Sequence, residues 1–219
     1  FSLGSKIYGQ GFVFSDNDLE CSPVSVRHDL VKRHPDWIKR VPPYIGGEEI
    51  NADPRQRSFR FVIYLCDLET EQELDRYPEL RNIVSQKVRP ERLMLGDNPN
   101  NVPLKARWWA YQAHRPELYR RLGEIDRALC ISRVTEHPAF VFLPTDMVFS
   151  ERLVVFPFSQ MQFFATLQSR AHEIWARFFS ATQEDRLMYA PSDCFETFPF
   201  PDNWESNEMA AAIGQEYYD

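Results

Sequence analysis

Glycine is scarce, at 8 of 219 residues, and so is cysteine, at 4. Little glycine beside 17 Phe, 9 Tyr and 5 Trp excludes a flexible low-complexity chain and predicts a packed, aromatic-rich core. The cysteines stand at 21, 66, 130 and 194 and form no Cys-x-x-Cys pair, which argues against a zinc ribbon. Such thin spacing predicts buried, reduced thiols and a cytoplasmic protein. No run of about 18 apolar residues exists, so no transmembrane helix is expected. The chain opens on Phe1 without a charged-then-apolar leader, and it stops inside a helical pattern without a C-cap signal. It therefore reads as a fragment with no signal peptide.

Catalytic signatures are missing as well. No phosphate-binding loop, Gly-x-Ser-x-Gly or His-Glu-x-x-His is present. The five histidines form no metal-spaced pair, and His172 reads as a hydrogen-bonded structural residue. A metal-dependent nuclease needs an acid two residues before a lysine, and none of the five lysines has one. Gly9-x-Gly11 is too short for a cofactor loop. Pro42-Pro43-Tyr44 lacks the amide or carboxylate that an amino-methyltransferase places before its prolines; Val41 stands there, so the segment reads as a rigid turn into Gly46-Gly47. The chain itself is read as non-catalytic, with no cofactor of its own.

What is present is an α+β pattern. Residues 5–14 and 58–66 read as strands. A helix starts at Asp67 with Thr70 and Glu73 in capping-box spacing. Another begins at Pro78 and stops at Pro90, with Leu80, Ile83, Val84 and Val88 on one face. Residues 91–103 read as a loop, and 104–112 and 116–123 as short helices. Strands at 127–134, 139–143, 147–149 and 152–156 predict an antiparallel meander. A long amphipathic helix over about 160–179 turns Phe164, Leu167, Ala171, Ile174, Trp175 and Phe178 toward the core. A short strand near 186–189 and a helix at 205–218 follow.

The net charge is −7, but residues 81–133 hold eleven Lys/Arg against five Asp/Glu, which puts +6 there and −13 elsewhere. Arginine outnumbers lysine twenty to five, and arginine suits bidentate contact with phosphates and guanine edges. The +6 segment is either a nucleic-acid face or a solvated helical surface. Lys105, Arg107, Trp108 and Trp109 form an aromatic–basic cluster, although tryptophans more often pack in cores. Arg55, Arg57 and Arg60 lead into a strand. Arg133, Thr135, Glu136 and His137 sit on a hairpin tip, a layout that reaches base edges.

Segments VPPYIGGEEIN (41–51), RFVIYLCDL (60–68), VSQKVRPER (84–92), RWWAY (107–111), RPELYRRL (115–122), ALCISRV (128–134), VFSERLVVFPF (148–158), LQSRAHEIWARFF (167–179) and APSDCFETFPFP (190–201) follow one another in that order. Over nearly the whole chain this resembles the target-recognition (specificity) region of large bacterial DNA adenine methyltransferases of type II restriction–modification systems, of the fused type IIG kind. The resemblance implies a recognition domain over 1–204 and the start of a C-terminal helical segment over 205–219. It implies double-stranded DNA as partner, and an N-terminal methyltransferase domain in cis that holds S-adenosylmethionine and the Asn-Pro-Pro-Tyr motif. The parent would methylate the exocyclic amine of a flipped adenine, with or without a fused endonuclease. The DNA contacts expected here are Arg55, Arg57, Lys105, Arg107, Trp108, Arg133, Thr135, Glu136 and His137, with 135–138 as the base-reading loop. The alternative is a protein-interaction module that docks onto another subunit of such a system.

Overall fold

The structure is a computed structural model and describes residues 1–183 and 185–219. In chain order the elements are β1 (Ser2–Leu3), β2 (Val13–Phe14), α1 (Val24–Arg33), β3 (Pro43–Ile45), α2 (Gly47–Ala52), β4 (Arg60–Val62), α3 (Pro78–Lys87), α4 (Arg89–Leu93), α5 (Val102–Ala106) and α6 (Pro116–Leu122). They continue with β5 (Arg127–Ser132), β6 (Val134–Thr135), β7 (Val141–Pro144), β8 (Val148–Phe149), β9 (Leu153–Phe156), α7 (Met161–Leu167), α8 (Arg170–Phe179), β10 (Thr182–Gln183), β11 (Arg186–Met188), α9 (Pro191–Cys194) and α10 (Glu208–Tyr218). The fold is α+β, with three small sheets ordered β1-β9-β5-β7, β2-β4-β3-β8 and β10-β11-β6.

The strands do not form a simple meander. β5 is central, with antiparallel β7 on one side and β9 on the other. β8 leaves this sheet and pairs parallel with β3, Tyr44 against Val148. Residues 43–45 are thus a strand and not only a turn. The strand expected at 5–14 is interrupted because Tyr8 and Gly9 have φ of 50° and 113°, which extended backbone does not allow. The strand expected at 58–66 is three residues long; beyond it Ile63 and Tyr64 donate to the carbonyls of Phe12 and Arg40, outside any ladder.

Helix ends differ for equally local reasons. The segment after Asp67 is a 3₁₀ helix over Glu71–Arg76, with the Glu73 carboxylate accepting from the Thr70 amide at 3.0 Å. Pro90 starts α4 instead of ending the chain's helical path, because proline is tolerated in a first turn. The helix expected over 104–112 ends at Ala106, and Trp108, Trp109 and Tyr111 turn into the core. The long helix is broken at Gln168–Ser169. Gln168 bonds the Phe140 amide at 2.8 Å and the Pro138 carbonyl, and the Ser169 hydroxyl caps α8 at His172 N. The break resets the helical phase. Phe164 and Leu167 are buried as expected, but on α8 it is His172 and Ala176 that face inward, while Ala171, Ile174 and Phe178 point to solvent.

Three hydrophobic clusters result. One packs α1 and α3 against β2 and β4, one packs α7 and α8 against β5 and β9, and one packs α2 and α6 on the other face of β5. All four cysteines are buried free thiols. Burial pushes the Cys66 thiol up to about 12, so it is protonated at neutral pH. Among the described residues, no helix is long and apolar enough to cross a membrane.

α10 lies along α7, where a Cβ on Gly214 would come within 2.6 Å of the Met161 carbonyl oxygen. The Tyr218 hydroxyl donates toward the Phe142 carbonyl and accepts from the Phe142 amide, at the edge of β7. Gly214→Ala is expected to lower stability by about 1–3 kcal/mol through this overpacking. Urea denaturation measures it, and an unchanged midpoint would mean that α10 does not dock on α7 in solution.

Candidate nucleic-acid interface

A cleft of about 910 Å³ opens where α2, β3, β4 and the ends of β5 and β8 meet, walled on the far side by Tyr8–Gln10 and by residues just after α4. Its floor rests on one buried ion pair. Glu49 is fully buried in α2, and its carboxylate takes both Arg60 Nε and Nη2 at 2.7 Å. The same carboxylate accepts from the Gly46 amide at 2.9 Å. A buried carboxylate needs such partners, and the arginine fork supplies two of them at once. Gly47 packs so close to β5 that a Cβ there would lie 2.7 Å from Ser132 Oγ. Asn51, one turn further along α2, donates to Ser132 Oγ at 3.3 Å and to the Val134 carbonyl at 3.2 Å. α2 is thereby tied to the start of the hairpin.

That hairpin is Arg133–Pro138. The Arg133 amide donates to the Arg152 carbonyl at 2.8 Å, and its own carbonyl accepts from Tyr189 at 2.7 Å. Its guanidinium reaches the Glu151 carbonyl at 3.5 Å. Thr135 is buried, and its hydroxyl closes the turn onto the His137 carbonyl at 2.7 Å, so it shapes the loop instead of projecting from it. Glu136 and His137 are exposed and lie 3.7 Å apart. Arg177 of α8 donates to the Glu136 carbonyl at 3.0 Å and fixes the tip from below.

The other expected contacts separate into two groups. Arg55 and Arg57 are exposed just beyond α2, with Arg57 paired to Asp53 at 3.0 Å. Lys105, Arg107 and Trp108 are occupied by the fold. Lys105 pairs with Asp97 at 2.5 Å. Arg107 donates to the carbonyls of Cys66 and Leu68 at 2.9 and 2.8 Å. Trp108 is only 3% exposed, with the Arg89 guanidinium 5.1 Å from its ring. Several other cations of the +6 segment also carry ion pairs with nearby acids. Arg81 pairs with Asp75 and Glu71, Arg89 with Glu71, and Arg120 and Arg121 with Glu117. Hydrogen bonds from Arg120 and Arg121 hold the Glu117 carboxyl down near 2.

Sequence reading passed over Tyr8, Asn51, Ser132, Arg152 and Arg186, all of which line the cleft. The available signal was a pair of glycine motifs, Gly9-x-Gly11, too short for a cofactor loop, and the bend at Gly46-Gly47. Gly9, Gly46 and Gly47 border the same cleft.

With this geometry in view, a family model described as "MmeI, target recognition domain" matches residues 13–202. The chain belongs to this family. Among solved structures, that of the Type IIL restriction-modification enzyme MmeI in complex with DNA is similar, with a TM-score of 0.72 at 19% identity. At that identity the likeness is one of fold. It covers 97% of this chain and 26% of that one, so the present chain spans about a quarter of that enzyme's length. No curated protein matches the sequence.

The hairpin of this domain is braced by His172, whose Nε2 meets the Tyr189 hydroxyl at 2.9 Å in the core. Burial pushes the imidazole down to about 4. It folds neutral, and the unfolded chain binds the proton near pH 6.5. The neutral imidazole therefore contributes fully above pH 6.5, and stability falls as pH drops from there toward 4, by about 3 kcal/mol at most. The stability difference between the wild-type chain and His172→Gln should change across this window. A pH-independent difference in urea denaturation would reject the assignment.

Proposed function

We propose that this chain reads DNA for a bacterial restriction–modification enzyme, as a recognition domain over residues 1–204 followed by the start of a C-terminal helical segment over 205–219. Family membership across residues 13–202 carries the reading. The parent would transfer methyl from S-adenosylmethionine to the exocyclic amine of an adenine flipped from the duplex, using an N-terminal domain in cis, in the cytoplasm. The chain's own residues would do the positioning. Arg152 on the cleft lining, and Arg55 and Arg57 just beyond α2, are exposed cations that suit phosphate contacts. Arg133 suits the two acceptors of a guanine edge, and Glu136 suits a cytosine amine. Thr135 would act through the shape of the turn. Arg107 and Trp108, given their partners, would support the domain from within, and Lys105 would pair with Asp97 at its surface.

The reading agrees with rigidity where specificity needs it. Glu136 and His137 project from a turn closed by Thr135 and held by Arg177, so little conformational entropy is lost on contact. A second reading, docking to a protein partner, is favoured by one observation: Ile174 and Phe178 on α8 are 56% and 80% exposed.

Selection from a random duplex pool tests the first reading. The wild-type chain should enrich one consensus. Replacing Glu136 and His137 together by alanine should alter that consensus, at about 1–3 kcal/mol per lost base contact, with folding retained. An identical consensus would remove the hairpin from base readout. Arg152→Ala is a separate test of phosphate contact. It should weaken binding to all sequences alike and flatten the slope of log K against log [salt] by about 0.9. An unchanged slope in a salt titration would place the phosphate contacts elsewhere.

A further inference from the structure

Tyr8 is held in a costly way that the core does not require. Its φ of 50° lies in the left-handed region, unusual for a bulky aromatic, and the next residue, Gly9, has φ 113°. Gly11 pins the loop to α3, since a Cβ there would stand 2.5 Å from that of Lys87. Beneath the loop lies Arg92, which is 1% exposed. Its Nη2 donates to the Tyr8 carbonyl at 2.9 Å, and its guanidinium sits 4.9 Å from the Tyr8 ring centroid. Arg92 Nε and Nη1 find no partner among the described residues. A strained backbone and an incompletely bonded buried cation thus keep one aromatic ring 47% exposed at the mouth of the cleft.

The charges of the cleft say what fits beside that ring. Its lining includes Glu20, Glu48, Glu91 and Glu151 against Arg60, Arg152 and Arg186. Arg60 is already committed to Glu49. A phosphate drawn inside would face four carboxylates. A nucleobase is neutral, with flat apolar faces and polar edges. Tyr8, Met94 and Leu95 supply apolar surface on one wall. Asn51 stands on the other, and its side-chain oxygen accepts no hydrogen bond among the described residues while its amide donates to Ser132 and Val134.

We propose that Tyr8 is a stacking platform for a nucleobase unstacked from the bound DNA, and that the cleft takes this base instead of the sugar–phosphate backbone. The proposal rests on the DNA reading above and deepens it. Arg92 is a positioning residue that sets the ring from behind.

The test uses the 219-residue chain and the duplex it enriches from the random pool, with binding followed by fluorescence anisotropy. Tyr8→Asn removes the ring yet tolerates the left-handed backbone, and Tyr8→Phe keeps the stacking face. Tyr8→Asn should weaken binding about fivefold to a hundredfold, and Tyr8→Phe should leave it nearly unchanged. Abasic sites placed one by one along the duplex then locate the base. The Tyr8→Asn penalty should vanish on the duplex whose abasic site replaces the stacked base and persist on the others. An equal penalty on every abasic duplex overturns the proposal in favour of backbone contact or general destabilisation. No penalty on the intact duplex, with Arg152→Ala still weakening it, overturns the proposal and leaves the DNA reading standing. A wild-type chain that enriches no duplex overturns both.

Discussion

A carboxylate with no access to water must be fully satisfied by the protein around it, and Glu49 imposes that condition on the centre of this domain. Its partners come from two places: the fork of Arg60 on β4 and the Gly46 amide before α2. Removing the Arg60 side chain would leave the buried Glu49 charge uncompensated, a change that costs about 3–5 kcal/mol in comparable settings. The pair also fixes geometry. It sets α2 against the β2-β4-β3-β8 sheet, and α2 in turn carries Asn51 to Ser132 and Val134. The wall of the cleft and the base of the hairpin are therefore registered to one another through a single ion pair.

Much of the arginine in this chain does similar internal work. Arg92, Arg107 and Arg127 donate to main-chain carbonyls that no ladder satisfies, near residues 7–8, 66–68 and 159. Many chain segments here are irregular, and their carbonyls still need donors. A guanidinium with five N–H groups answers this better than lysine does. The excess of arginine is thus partly a consequence of short strands and loops that leave the ladder, as at Ile63 and Tyr64. What remains exposed around the cleft and hairpin is a small, mixed set of charges suited to specific contacts more than to broad electrostatic attraction.

The break between α7 and α8 has the same double character. Gln168 spends its amide on Phe140 and Pro138, which sit just after the hairpin tip. Ser169 restarts the helix, and α8 returns Arg177 to the Glu136 carbonyl and His172 to Tyr189. The helix pair is a brace for the loop. Its cost is an apolar face on α8, with Ile174 and Phe178 in solvent.

The amino-acid sequence by itself determined the α+β class, a strand beginning at 127, the helix begun by Pro78, the buried thiols and the family, because these depend on local periodicity, capping and long ordered motifs. It also marked Arg133–Pro138 as a hairpin tip. Only the tertiary structure decided which charges are free. Composition counts Lys105 and Arg107 as basic whether they face Asp97, two carbonyls or solvent, since partners distant in sequence leave no local trace. The α8 stripe differs for a related reason: a periodic pattern shows that a face is apolar, not that a neighbour reaches it, and one break at Ser169 rotates everything after it. The cleft was invisible for the same cause. Its walls come from residues near 8, 46, 94, 132 and 151, and their meeting is set by a buried ion pair between Glu49 and Arg60 that no spacing rule connects.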